Sequence, residues 1–177
     1  MRILIHARNP GIYEPKDRVK LMNLLRSLGL NIINVRVASN HIEVDANTNN
    51  ISELSSAVGR VVGPVLGVVN LSIESKVNDP FRAFVDLFNE ERFWEAHEVL
   101  EPTWRISRDT NVQGLIVAAA AFVKIQENYI ESFLRLAKRA LGMIVVNQVD
   151  CIDALGFREG LMASLSTFKP FKARCIA

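Results

Sequence analysis

The sequence has few of the features that mark secreted, membrane-bound or nucleic-acid-binding proteins. Lysine and arginine outnumber aspartate and glutamate by only 21 to 19, and no block of basic residues appears. So small a net charge gives little attraction to nucleic acid or to an anionic membrane. The opening MRILIHARNP lacks the apolar region of a signal peptide, and the longest apolar run, 115–123, is about half a membrane span. We therefore expect a soluble, cytoplasmic protein.

Cysteine is also scarce. Only Cys151 and Cys175 are present, and they do not have the Cys-x-x-Cys spacing of zinc knuckles and redox motifs. In a cytoplasmic protein we expect two reduced thiols, with a disulfide and a reactive thiol as the alternatives. No cofactor is predicted from these residues.

The chain divides into two segments with different patterns. Residues 1–76 alternate strand-like and helix-like runs in the order βαββαβ, and Gly29 follows the first helical run. This order is typical of a ferredoxin-like domain, in which two helices cover one face of a four-stranded antiparallel sheet. Residues 79–177 show helical periodicity only. The predicted fold class is therefore α+β, with a ferredoxin-like domain followed by an all-α helical bundle.

The first domain gives little indication of function. An RNA-recognition sheet needs aromatic side chains on its central strands to stack bases, and the strand-like runs here carry Ile, Leu, Val and Glu. The sequence therefore argues against nucleic-acid binding. His6 and His41 each occupy a strand position, and we interpret them as surface or sheet-edge histidines rather than metal ligands.

The most informative stretch is FWEAHEVLEPTW, residues 93–104, on a predicted helix of the second segment. At about 100° per residue, His97 shares a face with Phe93 and Trp104, and this face is predicted to be buried. Glu101 lies at its edge, one turn beyond His97, whereas Glu98 points elsewhere. A histidine and a glutamate four residues apart can share a proton, a hydrogen bond or a metal ion.

Two polar residues interrupt the next predicted helix, 112–126, which is otherwise apolar and rich in alanine. These residues are Gln113 and Lys124. A lysine on a buried face needs an exit to water or an anionic partner, and Glu101 can supply the anion. We therefore predict a buried polar network of His97, Glu101 and Lys124, with Gln113 on the same stripe as Lys124.

The pattern FWEAHEVLE, with Trp104 after it, resembles domain-of-unknown-function family 309. The resemblance covers about residues 79–141. It includes the later run Gln113-Gly114-Leu115-Ile116. It implies a small helical bundle, and the biochemical role of the family is not established. The chain departs from the family at Lys124, where relatives often carry an imidazole, and at Glu127, where they often carry glycine.

The function that we favour from the sequence is a non-catalytic interaction module. Buried polar networks commonly specify how helices pack, rather than catalyse a reaction. The His-Glu-Lys network would then fix the packing of the bundle, and the helical domain would form a homo-oligomer.

The second candidate is a divalent-metal-assisted hydrolase that uses His97, Glu98 and Glu101. A His-Glu-x-x-His helix would be typical of zinc, but residue 101 is glutamate and His97 is the only histidine after position 41. Two carboxylates and one imidazole fit Mn²⁺ or Mg²⁺ better, provided that other helices or a second subunit add oxygen ligands.

The third candidate is a small-ligand or anion site between the two halves. The residues that would line it are aromatic, amide or cationic: Trp94, Trp104, Arg105, Gln113 and Lys124. Tryptophans at helical spacing are more often core residues, so this candidate ranks below the others. The sequence does not identify the ligand.

Overall fold

A computed structural model describes residues 1–73 and 77–176 of the chain. These residues form two compact units, one of residues 1–73 with 126–128, the other of residues 77–125 with 129–176. The predicted end of the first domain at residue 76 lies outside the described residues. The first unit is built on a sheet and the second on helices, which confirms the predicted α+β fold class.

The first unit has the element order βαββαβ, with a 3₁₀ turn at Pro15–Asp17 before its first helix. Its elements are β1 (Arg2–Arg8), α1 (Arg18–Ser27), β2 (Asn31–Val37), β3 (His41–Asn47), α2 (Ile51–Val61) and β4 (Val65–Asn70). The strands pair antiparallel in the order β2-β3-β1-β4. This is the ferredoxin-like arrangement that the sequence predicts.

Local sequence signals fix the start of α2 and the end of α1. The Asn50 side chain accepts a hydrogen bond from the backbone N–H of Glu53 at 3.1 Å and so caps the start of α2. Gly29 follows α1 with a φ of 82°, a left-handed conformation that costs glycine no steric strain. Alternate residues of β1 and β3 pack in the apolar core of this unit: Ile3, Ile5, Ala7, Ile42, Val44 and Ala46.

The second unit is mainly helical. Its elements are α3 (Pro80–Asn89), α4 (Phe93–Ser107), α5 (Thr110–Gln126), α6 (Ile130–Met143), β5 (Gln148–Val149), β6 (Ile152–Asp153) and α7 (Ala154–Thr167). The sequence did not predict the short β5-β6 pair. Fully buried phenylalanines dominate its core: Phe84, Phe88, Phe93, Phe122, Phe133 and Phe157. In the part of the chain that the structure describes, no helix is long and apolar enough to cross a membrane.

Helix α4 buries a different set of residues from the one predicted. Its buried positions are Phe93, Ala96 and Leu100. His97 lies one residue further round the helix and keeps 27% of its side chain exposed. The prediction that His97 lies in the buried stripe is therefore wrong. The stripe passes through the small side chain of Ala96, and the imidazole lies at its edge.

The segment after α7 is held in place by aromatic contacts with the core. The ring of Phe171 contacts three core phenylalanines at centroid distances of 5.2, 5.9 and 5.0 Å: Phe88, Phe122 and Phe157. A Cβ atom at Gly160 of α7 would overlap this ring. The glycine therefore makes room for Phe171, and the segment completes the aromatic core.

Cys151 and Cys175 form a disulfide. Cys151 lies between β5 and β6, and Cys175 lies beyond α7, where it forms a β-bridge with Ile152. The prediction of two reduced thiols is therefore wrong. The segment beyond α7 returns to β6 and brings the two cysteines together, and spacing along the sequence does not reveal such a return.

Thiol titration checks this pairing. Unfolded, non-reduced protein is expected to show no free thiol with Ellman's reagent, and two after reduction, because the chain has only two cysteines. Reduction should also lower the free energy of unfolding by about 3 kcal/mol, the loop-closure contribution expected for a loop of this length. Two free thiols before reduction would contradict the disulfide.

Candidate metal centre

The face of the sheet opposite α1 and α2 is largely polar, yet most of its side chains are buried or half-buried. Along β1 and β3, helix-facing apolar residues alternate with residues of this face. The face carries Arg2, Leu4, His6, Arg36, His41, Glu43 and Asp45. Charged and imidazole groups at such positions must satisfy one another, because burial without a partner is costly.

The strand register places Glu43 between two of these groups. Glu43 on β3 lies directly opposite His6 on β1 and directly opposite Arg36 on β2. Opposed residues of an antiparallel pair have Cβ atoms about 5 Å apart, close enough for their side chains to interact. His41 lies two residues before Glu43 and therefore on the same face.

Arg36 is shared among three carboxylates of this unit. Its guanidinium lies 3.1 Å from Glu43 Oε2, 3.6 Å from Asp45 Oδ2 and 3.6 Å from Glu127 Oε1. Asp45 also accepts two hydrogen bonds from Arg2, at 3.0 and 2.7 Å. Glu43 is therefore only one of several counter-ions for Arg36.

The imidazole of His41 bridges a turn residue and Glu43. Its Nδ1 lies 2.8 Å from Asn40 Oδ1, and its Nε2 lies 3.7 Å from Glu43 Oε1. Nε2 and Oε1 are both buried, and neither makes a hydrogen bond within the described residues. The ring centroid of His6 lies 5.4 Å from that of His41. One donor atom each from His6, His41 and Glu43 lies within 4.8 Å of the other two.

Two imidazole nitrogens and a carboxylate oxygen form a donor set that proteins use for zinc and related ions. Zinc bonds of about 2.0–2.2 Å place tetrahedral donors about 3.4 Å apart. The His41–Glu43 distance of 3.7 Å is already close to this value. Within the range that the structure describes, no other group of three His, Cys, Asp or Glu side chains has this geometry.

The interpretation of His6 and His41 as surface or sheet-edge histidines is wrong, since 7% and 6% of their surfaces are exposed. Period-two alternation shows which residues share a face but does not show whether a polar face is covered. One signal in the sequence could have placed the two histidines close together. In the βαββαβ order β1 lies beside β3, so the polar positions of RILIHAR and HIEVDAN share one face.

The residues predicted on α4 do lie close together. His97 Nδ1 is 3.2 Å from Glu98 Oε1, and His97 Nε2 is 3.7 Å from Glu101 Oε1. Glu101 also lies 3.4 Å from the Nε of Arg105. The two carboxylates face different nitrogens of one ring, so they do not converge with that ring on a single ion in this arrangement. A catalytic or metal-binding role for His97, Glu98 and Glu101 stays a prediction.

The other predicted binding residues are all partly buried: Trp94, Trp104, Gln113 and Lys124. Trp94 and Trp104 pack against the core of the second unit. The guanidinium of Arg108 lies 4.9 Å from the ring centroid of Trp104, and Lys124 Nζ lies 5.8 Å from that of Tyr129. Both contacts are cation–π in type. The pairing of Lys124 with Glu101 stays a prediction.

Part of the second unit matches a known protein family. Residues 81–136 match the model of a family described as a domain of unknown function, DUF309. The match runs from α3 into α6 and includes all of α4, which confirms the resemblance seen in the sequence. No curated protein matches the chain. His6, His41 and Glu43 lie outside the matched residues.

Replacement of Arg36 tests whether the buried charges hold the sheet together. Arg36→Met keeps much of the apolar side chain but leaves Glu43 and Asp45 without a shared cation. We expect the free energy of unfolding, measured in urea, to fall by about 3–5 kcal/mol. Arg8→Met, at the exposed end of β1, is the control and should change it by less than about 0.5 kcal/mol. Equal, small effects at both positions would show that the buried charges are dispensable.

Proposed function

We propose that the first unit binds one divalent transition-metal ion, with zinc as the best fit, through His6, His41 and Glu43. The observation that carries this proposal is the convergence of three buried donor atoms within 4.8 Å. Two of them, His41 Nε2 and Glu43 Oε1, make no hydrogen bond within the described residues. A buried polar atom left unsatisfied costs about 1–3 kcal/mol, and a cation between these two would satisfy both.

The donor types favour zinc or a similar ion over calcium or magnesium. Magnesium and calcium prefer oxygen ligands, whereas imidazole nitrogen suits zinc, copper and nickel. The positive charge of Arg36 opposes a cation beside Glu43. However, Asp45 and Glu127 also lie within 3.6 Å of that guanidinium, so Glu43 does not serve it alone.

Burial of the three residues favours a role in stability over one in hydrolysis. A catalytic zinc keeps one coordination position open to water and substrate. The exposed fractions here are 7% for His6, 6% for His41 and 0% for Glu43. A bound ion would cross-link β1 to β3 and stabilise the folded unit by mass action.

Metal analysis of the full chain, purified without chelator, tests the proposal. We expect about one zinc ion per chain, as for a single site with three protein ligands. Zinc added to the metal-free protein, at a free concentration 100 times the Kd of the zinc complex, should raise the free energy of unfolding by about 2.7 kcal/mol. Circular dichroism during thermal unfolding provides this measurement.

Variants of the donors identify the site. His41→Ala and Glu43→Gln should abolish both the bound zinc and the stabilisation. His97→Ala is the matched control, because it removes the one histidine outside the first unit and should leave both unchanged. Stoichiometric zinc in His41→Ala, or no stabilisation of the wild-type protein by zinc, would refute the proposal.

For the helical unit, we propose self-association through the C-terminal end of α4. The supporting observation is Ile106, whose side chain is 88% exposed and lies within the family-matched residues. A two-fold dimer would bury the same residues on both subunits, and a contact at this end of α4 would cover the exposed isoleucine. The neighbouring Trp104, covered by Arg108, adds an aromatic and cationic rim.

Light scattering over micromolar concentrations tests this second proposal. The wild-type chain is expected to dimerise, and Ile106→Lys should give monomers because it places a charge in the apolar contact. Ile12→Lys changes a similarly exposed isoleucine of the first unit and serves as the control. A wild-type chain that stays monomeric, or an Ile106→Lys chain that still dimerises, would rule the contact out.

A further inference from the structure

The turn between β2 and β3 brings an exposed amide against the buried imidazole of His41. Asn40 in this turn is exposed, and its Oδ1 lies 2.8 Å from His41 Nδ1. On the other side of the ring, Nε2 and Glu43 Oε1 are 3.7 Å apart. The first distance is that of a hydrogen bond and the second is too long for one.

The chemistry of these two partners determines which ring nitrogen of His41 carries the proton. A neutral imidazole has one N–H donor and one acceptor nitrogen, and a carbonyl oxygen such as Asn40 Oδ1 can only accept. The hydrogen bond to Asn40 Oδ1 therefore needs a proton on Nδ1, and in a neutral ring this leaves the lone pair of Nε2 directed towards Glu43. Without an acceptor at Nδ1, the proton would move to Nε2, where the carboxylate of Glu43 attracts it.

We infer that Asn40 is a positioning residue that holds the Nδ1–H tautomer of His41 and so makes Nε2 the metal-binding nitrogen. Hydrogen bonds from the second nitrogen of a metal-binding histidine commonly fix its tautomer and orientation. The part of this inference that concerns metal affinity rests on the proposed metal site. The tautomer itself is a property of the metal-free protein.

The backbone around Asn40 is fixed in a way that suits this role. The N–H of Asn9 donates to the Asn40 carbonyl at 3.0 Å, and the Asn9 side chain donates to the Ala38 carbonyl at 3.1 Å. The N–H of Ala38 in turn donates to the His41 carbonyl at 2.9 Å. Three hydrogen bonds thus hold the turn, so the Asn40 amide approaches the ring from an ordered backbone.

Nitrogen NMR of the ¹⁵N-labelled, metal-free full chain tests the tautomer directly. Where the nitrogen shifts show a neutral ring, wild-type His41 should have a protonated Nδ1 and an unprotonated Nε2. Asn40→Leu, which removes the acceptor from an exposed position, should move the proton to Nε2. Asn40→Asp restores an acceptor oxygen and should restore the wild-type pattern. Asn49→Leu, at another exposed asparagine, is the control and should leave His41 unchanged.

Zinc titration supplies the second readout. Asn40→Leu should weaken zinc binding by about 10- to 100-fold, whereas Asn40→Asp should stay close to the wild-type affinity. If no variant and no wild-type chain binds zinc, the proposed metal site fails, but the NMR result still decides the role of Asn40. A wild-type His41 protonated at Nε2, or an Asn40→Leu chain that keeps Nδ1–H, would overturn the inference.

Discussion

A buried guanidinium surrounded by carboxylates is the constraint on which the sheet depends. Apolar packing alone leaves the strand register partly open. A slip of one residue would turn Arg36 into the apolar core, but a slip of two residues would keep every side chain on its proper face. Such a slip would separate Arg36 from Glu43 and leave the Glu43 carboxylate buried without this cation. The Arg36–Glu43 pair therefore favours the observed β2-β3 register, which the apolar pattern leaves open, and the separate β1-β3 register brings His6 next to Glu43.

Much of the fold could be predicted because its signals are local. The caps of α2 and α3 are examples, since Asn50 and Asp79 each accept a hydrogen bond from a backbone N–H three residues later. The order βαββαβ was readable from the change between period-two and helical spacing. The β5-β6 pair was not, because two-residue strands have no periodicity. The disulfide and the docked segment after α7 depend on contacts that are distant in sequence.

The candidate sites show a second limit of prediction from sequence. It concerns how deeply a side chain is buried rather than which face it lies on. On α4 the pattern correctly grouped His97 with Glu101, but the helix buries Ala96 and leaves the imidazole at the edge. On the sheet, alternation correctly placed His6 and His41 on strands but gave no indication that their face is covered. A sequence pattern shows which residues share a face. How deeply that face is buried depends on what packs against it.

Phe171 has a consequence for the order in which the chain can fold during synthesis. The aromatic core of the second unit begins with residues of α3, yet the ring that contacts Phe88, Phe122 and Phe157 follows α7. Until residue 171 has been made, the aromatic core formed by these three rings lacks the contacts of Phe171 and is incomplete. The sheet strands, all made before residue 71, can pair much earlier. We therefore expect translation rate to matter more for the helical unit, whose core stays incomplete until its last aromatic residue is made.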